Sequence, residues 1–115
     1  MLVYLVFLRP TQKGLVYEKY MEYILFIHNN MDQQPTNEQW NSFFAKAVAS
    51  GMFNGGSEMG KSAQLGRKSV TPVTKSAVGY MRFETDDIEK LHKLLESHPA
   101  YIQGGTLELC ELPKT

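Results

Sequence analysis

The sequence predicts one α+β domain whose elements follow in the order strand, helix, strand, strand, helix, strand. Three observations lead there. A short apolar run, Tyr23-Ile24-Leu25-Phe26-Ile27, opens the pattern, a capped helical stripe follows it, and an acid-capped second helix lies between two alternating runs. A chain of 115 residues has room for one hydrophobic core.

Tyr23–Ile27 is continuous in apolar β-formers, as expected of a strand covered on both faces. It ends at His28-Asn29-Asn30, and a polar loop runs to Pro35. Thr36 with Gln39 three residues on forms a capping box, so the first helix starts there; Trp40, Phe43, Phe44, Ala47 and Val48 make its apolar stripe and Gly51 ends it. Met52–Gly60 reads as a second strand in which Gly55-Gly56 signals a bulge or a close backbone approach. A polar hairpin region punctuated by Gly66 and Pro72 leads to a third strand, Val78–Glu84, with Gly79, Met81 and Phe83 on one face and Val78, Tyr80 and Arg82 on the other.

The second helix is capped by Thr85 or Asp86 and carries Asp86, Asp87 and Glu89 in its first turn, where the helix dipole favours negative charge. Ile88, Leu91, Leu94 and Leu95 form its buried stripe, and Pro99 stops it. After Gly104-Gly105, Thr106–Leu112 is the fourth strand, with Glu108 and Cys110 on one face. Right-handed crossovers then place both helices on one face of a four-stranded antiparallel sheet, the ferredoxin-like βαββαβ arrangement. Since the first strand is apolar on both sides, the uncovered face is expected to meet a second copy, which gives a homodimer.

Residues 1–20 stand apart from this pattern. Leu2–Leu8 is strand-like, Arg9-Pro10 and a polar stretch follow, and Met21 opens the domain proper. The segment reads either as an extra strand on a sheet edge or as a leader outside the domain, the second being preferred because residues 21–115 make a complete fold unaided.

Twelve basic and twelve acidic side chains cancel, which argues against binding nucleic acid through its phosphates. The opening apolar run is too short to cross a bilayer and lacks the flanks of a signal peptide. One cysteine, Cys110, cannot form an internal disulfide, and a reducing, cytoplasmic setting fits. The spacing of His28, His92 and His98 matches no metal motif, and no cofactor is expected. His92 reads as a surface or boundary residue, His98 as a partner for helix-end carbonyls, and Cys110 as a core residue rather than a nucleophile. Lys61, Arg67, Lys68 and Lys75 lie in a stretch without acids; it could attract an anion, but a solvated hairpin is the plainer reading.

Gly79-Tyr80-Met81-Arg82-Phe83-Glu84-Thr85-Asp86-Asp87, Leu94-Leu95-Glu96-Ser97-His98-Pro99 and Gly104-Gly105-Thr106-Leu107-Glu108-Leu109 together resemble the C-terminal half of YCII-related (DGPF-type) domains. The resemblance spans about Met21 to Leu112 and implies a ferredoxin-like subunit in a dimeric α+β barrel. Two features depart from it. Thr71-Pro72-Val73-Thr74-Lys75 stands where the Asp-Gly-Pro-Phe motif is expected, and no histidine lies between Thr36 and Gly51. No catalytic residue therefore carries over.

Alternation places Tyr80 and Arg82 on the uncovered face, joined there by Glu108 and Cys110, with His28 at the mouth of the same cleft. Tyr80 and Arg82 are candidates to bind a small organic ligand, Arg82 by fixing an anion; His28 and Glu108 are candidates to move a proton. The competing reading pairs Arg82 with Glu108 across neighbouring strands and leaves His28 a solvated strand end. Two functions stay open: a small cofactor-independent enzyme working in the dimer cleft, and a non-catalytic ligand-binding or accessory protein.

Overall fold

A computed structural model describes residues 7–11, 14–18 and 20–113. Among these described residues six strands and three α-helices follow in order: β1 (Phe7–Thr11), β2 (Gly14–Glu18), β3 (Met21–His28), α1 (Asn37–Ser50), β4 (Phe53–Glu58), β5 (Ala77–Thr85), α2 (Ile88–Leu95), α3 (Pro99–Ile102) and β6 (Leu107–Leu112). β3 to β6 form one four-stranded sheet in the order β4-β5-β3-β6, with every neighbouring pair antiparallel. No helix among the described residues is long and apolar enough to cross a membrane.

β1 and β2 pair with each other as a separate two-stranded sheet. The N-terminal segment is thus a hairpin where one strand was expected, and neither strand is added to the edge of the larger sheet. The part of the expected Leu2–Leu8 strand before Phe7 lies outside the described residues.

α1 begins and ends as its sequence predicts. The Thr36 hydroxyl accepts the Gln39 N–H at 3.1 Å, the Gln39 side chain accepts the Thr36 N–H at 2.9 Å, and Gly51 closes the helix at φ 73°. The second helix differs at both ends. Its cap is Asp87, whose carboxylate accepts the Lys90 N–H at 3.2 Å, because the Thr85 hydroxyl is already engaged with the Asp87 N–H at 3.0 Å. It stops at Leu95, and Pro99 does not end it but opens α3 at the first helical position, where a missing N–H costs nothing.

The core lies on one side of the sheet. Tyr23, Leu25 and Ile27 of β3 and Met81 and Phe83 of β5 meet Phe43 and Ala47 of α1, Leu91 and Leu95 of α2 and Ala100 of α3. Phe43 and Phe83 are almost fully buried, each contributing roughly 1.5–3 kcal/mol relative to exposure. The expected α1 stripe is only half realised, since Phe44 is 40 % exposed and Val48 68 % exposed. Phe44 neighbours the edge strand β4 through Phe53, and Gly56 of that strand supplies no side chain to cover it. Gly56 is required by contact: a Cβ there would run into the Tyr80 carbonyl oxygen and sit 2.9 Å from the Met81 Cα. The register of β4 on β5 shifts between Phe53 and Gly56, the bulge that the glycine pair signals.

The other face of the sheet carries no helix core. Ile24 and Phe26 of β3 are half-buried on it, among Tyr80, Arg82 and Glu108.

Candidate functional site

β3 is a central strand, so its open-face side chains have neighbours on both sides. The register sets two rows across the face, Tyr80–Phe26–Glu108 and Arg82–Ile24–Cys110. Because β3 separates β5 from β6, Arg82 and Glu108 are not cross-strand neighbours, and the expected ion pair between them does not form. Arg82 instead meets Glu22 at 3.3 Å, and Glu108 meets His28.

His28 is held at both ring nitrogens. Its Nε2 lies 2.8 Å from Glu108 Oε1, and its Nδ1 lies 2.9 Å from Ser76 Oγ. Position along the strands explains this convergence. On one side, the His28 N–H donates to the Thr106 carbonyl, which puts Glu108 one diagonal step away on the same face. On the other, the β3–β5 register slips between Ile27 and His28, so that His28 faces Ala77 instead of Val78. The slip draws His28 one residue toward Ser76, and the Asn29 N–H fixes the Ser76 carbonyl at 2.7 Å. The His28 side chain is 19 % exposed and that of Glu108 63 % exposed, so the group is open to solvent at the rim of the face.

The hydrogen-bond directions follow from the chemistry. An ionised carboxylate only accepts, so Nε2 of the neutral ring carries the proton and donates to Glu108. Nδ1 is then bare, and the Ser76 hydroxyl donates to it. The arrangement runs hydroxyl, imidazole, carboxylate, which can take a proton from a group at the serine end and stabilise the resulting imidazolium from the other.

Of the other histidines, His92 is exposed as expected, but the His98 side chain does not bond the helix-end carbonyls; only its main-chain N–H does, to Leu95 at 3.0 Å. His98 is fully buried and caps α3, its Nδ1 accepting the Ala100 N–H at 3.0 Å. Its ring packs against Phe43 and edge-on to Trp40, with centroids 4.6 and 5.1 Å away, and Nε2 has no hydrogen-bond partner among the described residues. Burial pushes its pKa down to about 4. Cys110 is exposed on the open face rather than in the core, because β6 is an edge strand with no helix over that side. Among the described residues no group of three or more His, Cys, Asp or Glu side chains is gathered as a metal cage would be.

A second concavity, missed by the sequence reading, lies where the 31–37 loop and α1 meet β4. This cleft of about 610 Å³ is walled by Met31, Trp40, Phe44 and Phe53, with Gln34, Asn37 and Ser57 at its polar edge and Glu58 as the charged member of its lining. Trp40 stacks on Phe44 at 5.8 Å, and Phe44 continues to Phe53 at 6.0 Å. Of the four sequence candidates, Tyr80 lines this cleft while His28, Arg82 and Glu108 do not. Phe44 sits within a helical stripe that reads simply as core, so spacing alone gives no signal of this cleft.

No protein-family model, no curated protein and no solved structure matches the chain.

Proposed function

We propose that the chain is a ferredoxin-like subunit of a cytoplasmic homodimer, of the YCII-related kind, that moves a proton on a small organic molecule without a cofactor. The observation that carries this reading is the His28 ring held between Ser76 and Glu108. A histidine with both nitrogens engaged is fixed in orientation and tautomer, which is what a general base or acid needs. The subunit form is supported by the strand order β4-β5-β3-β6 with helix core on one face, and the dimer by the half-buried Ile24 and Phe26 on the other. Zero net charge favours a small ligand over nucleic acid.

A second reading rests on the aromatic cleft. Among the described residues its lining holds one carboxylate, Glu58, and excludes His28 and Glu108, which suits a site that holds an apolar ligand without reacting with it.

A thermal-shift screen of the purified full chain against a metabolite panel, followed by turnover assays on each binder, separates the two. On the first reading at least one binder is converted, and His28→Gln lowers kcat by about 10²–10⁴ while binding changes little. A binder that is not converted, is indifferent to His28→Gln and is lost in Trp40→Ala would overturn proton transfer and favour the cleft.

A further inference from the structure

We propose that Ser76 is a nucleophile that accepts an acyl group from small, uncharged activated esters, with His28 as its base and Glu108 as the group that orients His28. The inference deepens the proton-transfer reading and rests on it.

Ser76 is set apart from other serines of the chain by what its hydroxyl touches. The hydroxyls of Ser50, Ser57 and Ser97 each donate to a nearby backbone carbonyl, at 2.6, 2.9 and 2.6 Å. Such bonds brace the chain and engage the hydroxyl proton. Ser76 instead faces an imidazole nitrogen at 2.9 Å, and that nitrogen is the bare one once Nε2–H is committed to Glu108. The main chain of Ser76 is held independently: its carbonyl accepts the Asn29 N–H at 2.7 Å and its N–H reaches the Val73 carbonyl at 3.4 Å. Ser76 follows the short 3-10 turn Val73–Lys75 and is exposed, so a carbonyl carbon can approach Oγ from solvent.

The step balances within these groups and the ester. Ser76 Oγ attacks the ester carbonyl carbon as His28 Nδ1 takes the hydroxyl proton. The carbon–oxygen bond to the leaving alcohol then breaks, and that alcohol departs with the proton from His28. Water, deprotonated by the same Nδ1, releases the carboxylic acid and restores the hydroxyl. Val78, which is 39 % exposed, continues the open face beyond Ser76 along β5 and Phe26 continues it along β3, while Glu108 repels carboxylates, so the acyl group it suits is apolar and uncharged.

The test uses p-nitrophenyl acetate on the full chain, with release of p-nitrophenolate followed by rapid mixing and the acetylated residue located by peptide mass spectrometry. Expected are one acetyl group on Ser76, none there in Ser76→Ala, and a rate at least about a hundredfold lower in His28→Gln and Glu108→Gln. Glu108→Gln discriminates, because an amide can donate to Nε2 and turn the Nδ1 proton toward the serine, the wrong tautomer for a base. Acetyl groups on lysines only, in a protein whose His28-dependent turnover is intact, would overturn the nucleophile and leave the proton-transfer reading standing. Acetylation of Ser76 at the same rate in His28→Gln would overturn both.

Discussion

Replacing His98 by asparagine should remove the part of the protein's acid sensitivity between pH 6.5 and 4 that this buried ring carries. In the folded chain the ring is fully buried beside Trp40 and Phe43, and its Nδ1 must stay unprotonated to accept the Ala100 N–H. Its pKa falls from an ordinary 6.5 to about 4, through burial. Between those values the unfolded chain binds a proton at His98 that the folded chain refuses, so the His98 contribution to stability declines as pH falls through this window and is constant above it. The whole interval corresponds to about 3 kcal/mol, a large share of the roughly 5–15 kcal/mol typical of a domain. Urea unfolding at pH 7, 6, 5 and 4, followed by the fluorescence of the single tryptophan, Trp40, measures it. Asparagine keeps an oxygen for the Ala100 N–H but does not titrate, so the wild-type chain should lose about 3 kcal/mol more than His98→Asn over that range. Parallel pH profiles for the two proteins would refute the reasoning, whatever the offset between them at pH 7.

Gly56→Ala forces a methyl group onto the Tyr80 carbonyl and should destabilise the chain by about 1–3 kcal/mol in the same urea assay. Phe26→Glu places a carboxylate in the row between Tyr80 and Glu108; it should convert a dimer to a monomer in analytical ultracentrifugation while leaving the circular dichroism unchanged. A wild-type chain that sediments as a monomer at micromolar concentration would count against the dimer itself.

What was legible in the sequence is what depends on spacing. The Thr36–Gln39 box and Gly51 bound α1 because caps are local, and alternation along β5 and β6 puts Arg82 and Glu108 on one face because a strand's period is two. Periodicity alone does not say which strand lies beside which; only the ferredoxin-like arrangement, with its first strand central, separates Arg82 from Glu108. Placing β3 between β5 and β6 turns the expected Arg82–Glu108 pair into Arg82–Glu22 and His28–Glu108. Ser76 escaped for a related reason: it lies outside the strand pattern and reaches His28 through a one-residue slip that no composition signal marks. His98 was misread although its signal was present, because a proline after a helical stripe marks a first helical position as readily as a stop.

On the proposed function the open face would serve both a partner and a chemical group, and its layout is compatible with both. Ile24 and Phe26 lie within the sheet, each flanked by residues of β5 and β6, whereas His28 ends β3 and Ser76 lies just outside β5. A second sheet laid over the face would cover the apolar pair first and leave the His28 end at its margin. Covering the surroundings of Glu108, now well exposed, would lower the local dielectric and tighten its hold on Nε2–H without closing the approach to Ser76. Dimerisation would then strengthen the orientation of His28 rather than compete with it, so the Phe26→Glu monomer should lose acyl transfer from p-nitrophenyl acetate as well as its partner, even though Phe26 makes no bond to the reacting atoms.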